Sequence, residues 1–118
     1  MAAANESVEI KAEKKGEVFV IRLKGRLDAI TSAETERKIL GYVEQGEAKI
    51  LLDFEHVDYI SSAGMRVLLA VAKKLRTLNG RLVLCAVNTR VLDVLRMSGF
   101  DHVMDLQNNE IEALAKFR

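Results

Sequence analysis

The chain has 118 residues, 49% of them hydrophobic and 30% charged, with 18 Lys plus Arg against 17 Asp plus Glu. That length supports one hydrophobic core, and the near-balance of charge leaves no surplus of cations to hold nucleic acid. No apolar run reaches bilayer-spanning length, the start Met-Ala-Ala-Ala-Asn-Glu has neither the basic nor the apolar region of a signal peptide, and the lone Cys85 permits neither an internal disulfide nor a cysteine-based metal cluster. The expectation is a cytoplasmic protein with no membrane and no nucleic-acid partner. Residues 1–7 are expected to form a flexible N-terminus ahead of a single domain over 8–118.

In chain order, Val8, Ile10 and Ala12 alternate with Glu9, Lys11 and Glu13, and Phe19, Ile21 and Leu23 alternate with Val20, Arg22 and Lys24. Period-two patterning on both sides of a Lys15-Gly16 break predicts a β-hairpin. Residues 25–30 read as a connection. Thr31-Ser-Ala-Glu34 then has the spacing of a capping box, whose threonine and glutamate can satisfy free amides at a helix start. A first helix follows to Gln45, ended by Gly46. Ile-Leu-Leu-Asp-Phe at 50–54 is the pattern of a central strand covered on both faces, and a loop through Tyr59 and Ile60 comes next.

From Ser62 onward Met65, Leu68, Leu69, Ala72 and Leu75 recur at helical spacing until Asn79-Gly80 supplies a stop. Residues 82–87 form a second buried strand, in which Cys85 reads as a small core residue. A helix over 89–98 ends at Gly99, where Phe100 can fold back on Leu95. A short strand at 103–106 and a closing helix over 109–117 complete the chain. The order ββαβαβαβα implies an α/β domain. Its sheet is mixed and mainly parallel, with four or five strands opened by an N-terminal hairpin and about four helices packed against it.

The stretch from Asp53 to Leu69 carries the functional information, because a buried strand leads there to two serines at a helix start. Ser61, Ser62, Ala63 and Gly64 are all small, so a partner can approach the hydroxyls closely. A phosphate on one of them would bring about two negative charges to the free amides and positive end of the helix. The fold should tolerate that charge; a docking surface fitted to a neutral face should not. The same serines also suit an ordinary N-cap, so spacing alone leaves a structural and a regulatory role open.

The run Val57-Asp-Tyr-Ile-Ser-Ser-Ala-Gly-Met-Arg-Val-Leu68 resembles the signature of the STAS domain family, whose bacterial members include the anti-sigma factor antagonists. Gly25-Arg-Leu-Asp28 ahead of residues 31–37 is similar to the family's Gly-x-Leu-Asp loop, and residues 95–100 resemble its Leu-x-x-x-Gly-Phe helix ending. Matched position by position, Ile60 takes the place of the apolar residue, Ser62 of the phosphoacceptor, Ala63 of the second small residue and Gly64 of the glycine. Ser61 stands where the family most often has aspartate, which removes a negative charge and adds a second hydroxyl. Register with Gly64 selects Ser62 over Ser61.

The resemblance implies the STAS fold and a binding module that is not an enzyme. Unphosphorylated, it would bind an anti-sigma factor serine kinase of the ATP-binding GHKL type and free a sigma factor. Phosphorylation of Ser62 would end that complex, and a metal-dependent serine phosphatase would restore it. ATP and magnesium then belong to the partner kinase, and the chain itself needs no cofactor or metal. Asp28, Ser61, Ser62, Ala63, Gly64 and Arg66 are the partner-binding residues so implied. The alternative within the family is a scaffold subunit of a lipid-transport or stress-signalling complex, in which the serine is only a cap.

Other residues read more plainly. Asp28 suits local loop hydrogen bonds as well as a partner, and Asp53 is a structural carboxylate placed to bond the backbone of the serine loop. Arg66 is exposed if Met65 and Leu68 point inward. His56 and His102 lack metal-ligand spacing. No Gly-x-Ser-x-Gly elbow or glycine-rich phosphate loop occurs in the chain, which argues against a hydrolase and against nucleotide binding.

Overall fold

A computed structural model of the chain describes residues 7–118; residues 1–6, most of the segment expected to be flexible, lie outside the described residues. The alternating segments pair as a hairpin. Strand β1 (Glu9–Lys15) turns at Gly16, whose φ of +63° is open to glycine at no steric cost, and returns antiparallel as β2 (Val18–Leu27) with Ile10 opposite Leu23. Helix α1 (Ser32–Glu44), β3 (Lys49–Ile60), α2 (Ser62–Thr77), β4 (Arg81–Cys85) and α3 (Thr89–Met97) follow. A 3-10 turn (Phe100–His102), β5 (Asp105–Gln107) and α4 (Glu110–Ala115) close the chain. The five strands lie in sequential order, antiparallel only between β1 and β2. The expected mixed sheet with four helices is the one observed.

Parallel neighbours joined by right-handed crossovers place their connecting helices on one face of a sheet, and the buried residues sort accordingly. Ile39 and Val43 of α1, Val67, Leu68, Val71 and Leu75 of α2, and Val91 and Leu95 of α3 pack with Ile21, Ile50, Leu52 and Phe54. The alternate residues of the same strands, Val20, Leu51, Val83 and Cys85, pack with Ala113 of α4 in a second cluster. Val20 is therefore buried, although the hairpin alternation places it outward, because α4 covers that side. A cation fastens the cover. Arg22 donates to Asp53 (2.8 Å), Glu110 (2.7 Å) and Glu13 (2.8 Å), joining three strands to the first residue of α4, and Lys15 also donates to Glu110.

Several expectations need correction. The segments 25–27 and 55–60, read as loops, are strand: Gly25 pairs with Val57, Arg26 with Tyr59 and Leu27 with Ile60. Register shifts between Arg22 and Lys24 and between Gly25 and Arg26 break the alternation, so Val57 and Ile60 are buried while Glu55, His56, Asp58 and Tyr59 are exposed. A bulge of this kind destroys the period by which a strand is recognised. Asp53 does not bond the serine loop; it accepts from Glu55 N at 2.9 Å and from Arg22. Leu69 does not lie on the inward face of α2, whose buried residues are Gly64, Val67, Leu68, Val71 and Leu75. Met65 is partly buried against the core edge and Leu69 is 39% exposed.

The capping box is also absent. Thr31 has helical φ and ψ and makes no side-chain cap bond. Its hydroxyl donates instead to Arg26 O at 2.6 Å and accepts from Asp28 N at 3.1 Å, while Glu34 pairs outward with Arg37 at 3.0 Å. The last elements are shifted: β4 ends at Cys85, β5 covers only 105–107, and α4 only 110–115.

Candidate functional site

The C-terminal end of β3 delivers the two serines to α2. Ser61 is extended (φ −102°, ψ 178°), its N–H donates to Leu27 O at 2.8 Å, and its hydroxyl accepts from Gly64 N at 3.3 Å. Ser61 is thus the N-cap, and its oxygen satisfies one of the amides that every helix start leaves free. Ser62 is the first helical residue and is exposed, and its hydroxyl has no hydrogen-bond partner among the described residues. Ala63 is half-buried.

Gly64 sets how closely the parts approach. A Cβ built there would meet Leu27 O and Ile60 Cγ1 at 2.8 Å and Leu27 Cβ at 2.9 Å. Only a residue without a side chain lets the first turn of α2 settle against the end of β2. The same contact brings Asp28, the next residue after Leu27, to the serine end of the molecule. Asp28 accepts from Ile30 N at 2.9 Å and Thr31 N at 3.1 Å, so its loop-building role is filled. The bond from Thr31 foremost, with that from Ile30 and the charge of Arg26, holds its carboxyl below the usual carboxylate range against the opposing effect of burial.

The structure thus gathers Asp28, Ser61, Ser62, Ala63 and Gly64 at one end of the sheet, with Arg66 exposed on the second turn of α2. Three neighbours escape a sequence reading. Arg26 lies 4.3 Å from the centre of the Tyr59 ring and 3.8 Å from Asp28, and Ile30, two residues beyond Asp28, is 64% exposed. Arg26 and Tyr59 are cross-strand partners; with both segments read as loops, nothing in the sequence signals that pairing. Asn88 contributes from α3, donating to Val57 O at 2.7 Å while capping its own helix at Val91 N.

Elsewhere the chemistry is sparse. Cys85 is buried, and desolvation pushes its thiol up to about 12. No group of three or more metal-ligating side chains occurs among the described residues, His56 and His102 are exposed, and no described helix is long and apolar enough to cross a membrane.

The family model of the STAS domain matches residues 9–113, which include both strands and both helices that build this site. The chain belongs to the STAS domain family. A Bordetella bronchiseptica protein, BtrV, provisionally assigned as an anti-sigma factor antagonist, is 34% identical over 111 residues, covering 94% of this chain and 96% of its own. Among solved structures, the anti-sigma factor antagonist SpoIIAA in its unphosphorylated form superposes with a TM-score of 0.77 at 28% identity, covering 92% of this chain and 95% of its own. The phosphorylated form of the Bacillus cell fate determinant SpoIIAA superposes with a TM-score of 0.70 at 28% identity, over 93% and 100% of the two chains. SpoIIAA therefore exists with and without a phosphoryl group, and both forms share their fold with this chain.

Proposed function

We propose that the chain is an anti-sigma factor antagonist, a binding module that performs no reaction of its own and is switched off by a phosphate on Ser62. Unmodified, it binds an anti-sigma factor serine kinase and so frees a sigma factor. The kinase then moves the γ-phosphoryl group of ATP onto Ser62 Oγ, the hydroxyl proton is lost and ADP leaves. A metal-dependent phosphatase returns the serine with water, releasing inorganic phosphate. The names and coverage of the relatives support the antagonist role, and the phosphorylated form of SpoIIAA supports a phosphate on this fold.

The observation that carries the reading is the difference between two adjacent hydroxyls. Ser61 Oγ is committed to Gly64 N, whereas Ser62 is exposed on the first turn with its oxygen uncommitted. A kinase can take the second without undoing a cap. The added charge of about minus two sits near free helix amides, so it alters recognition more than stability.

The test is incubation with the cognate kinase and ATP, followed by phosphopeptide mapping. Label is expected on the Ser62 peptide, and its absence from both serines removes the switch. In a binding assay Ser62→Ala should hold the kinase constitutively and Ser62→Asp only weakly; equal affinity of the two variants contradicts the charge argument.

A further inference from the structure

We propose that Arg66 reads the modification from within the chain: once Ser62 is phosphorylated, the guanidinium of Arg66 closes on the phosphate across one helical turn and is withdrawn from the partner. The inference rests on the phosphoswitch reading and specifies how that site is regulated.

Gly64, Val67, Leu68, Val71 and Leu75 of α2 are buried, which leaves Ser62, Arg66, Leu69 and Lys73 as an exposed line on the opposite side. Ser62 and Arg66 stand four residues apart on that line, the spacing at which helical side chains meet. An anion placed four residues N-terminal to a cation is also the better of the two orientations. The planar guanidinium can bond two phosphate oxygens at once, a fit that lysine lacks.

The Ser62 hydroxyl has no hydrogen-bond partner among the described residues. Arg66 makes no ion pair or hydrogen bond there, in contrast to Arg26, which is held between the Tyr59 ring at 4.3 Å and Asp28 at 3.8 Å. The backbone between the two positions is fixed, because Gly64 is seated against Leu27 and Ile60. Pairing therefore needs only side-chain rotation. In the unmodified chain the same guanidinium is presented beside the serine, free to meet a carboxylate of the kinase. Phosphorylation then does two things: it adds negative charge to the surface and cancels the cation that the partner used.

The experiment installs phosphoserine at position 62 by genetic encoding, with no kinase required, in the full chain and in its Arg66→Gln variant. Phosphorus NMR titration reads the second ionisation of the phosphate, and Asp28 is present in both chains, so its repulsion cancels in the comparison. The value is expected to lie about 0.2–0.4 pH unit lower when Arg66 is present; equal values overturn the pairing. Unmodified Arg66→Gln should bind the kinase at least about fivefold more weakly than the parent. Unchanged affinity overturns the withdrawal of Arg66 as the basis of the switch. Failure of any kinase to label Ser62 with the titration shift intact overturns the phosphoswitch reading alone and leaves the pairing supported.

Discussion

Gly64 makes the clearest demand of any single residue. Its absent side chain leaves room for Leu27 O and Ile60 Cγ1, each 2.8 Å from where a Cβ would stand. Gly64→Ala is therefore expected to cost about 1–3 kcal/mol, because backbone and a buried isoleucine must move. Gly41, on α1 with nothing within 4 Å of its would-be Cβ, is the control: Gly41→Ala should gain up to about 1 kcal/mol from helix propensity. Urea unfolding midpoints should move in opposite directions, and a common direction would refute the close-packing account. Gly64 was legible in the sequence through its place in the signature. Thr31 was not, since spacing alone favours a cap, and only the folded loop places Asp28 to take the amides of Ile30 and Thr31 first.

At the scale of elements, α1 to α3 and the central strands were readable from periodicity, because each buries a face that the pattern of apolar residues marks. The ends of β2 and β3 were not, since bulged pairing scrambles the alternation. The fastening of α4 was equally hidden, for Arg22 stands 31 positions from Asp53 and 88 from Glu110. That fastening is open to a pH test. Hydrogen bonds from Arg22 and then Lys15 hold the Glu110 carboxyl below its ordinary value of 4.5. A lowered folded value gives stability that is complete above the ordinary value and is lost as pH falls through the folded one. Glu110→Gln should therefore cost about 1 kcal/mol at neutral pH, a charge-assisted bond discounted for its partial exposure. The unfolding midpoints of variant and parent should converge as pH falls below 4.5 and through the lowered value of Glu110; a gap that stays constant with pH would assign the loss to something other than the ion pair.

For the whole molecule, the sheet separates two kinds of work. One end carries an uncommitted hydroxyl and exposed side chains, while the face beneath α4 is sealed by apolar packing and the Arg22 cluster. Cys85 reports on the second without touching the first, since it lies in the cluster with Ala113 and its thiol is pushed up to about 12. Little thiolate is present at neutral pH, so labelling by a thiol reagent must wait for the chain to open. Arg22→Met leaves the nearly buried Asp53 carboxylate without its cation, and a loss of about 1.4 kcal/mol or more should speed Cys85 labelling at least about tenfold. Ser62→Asp should leave the labelling rate unchanged and the stability within about 0.5 kcal/mol, as an exposed first-turn substitution does. A Ser62→Asp chain that labels as fast as Arg22→Met would mean that charge at position 62 loosens the core. On the proposed function, the chain would then lose its partner by partial unfolding instead of by an altered surface.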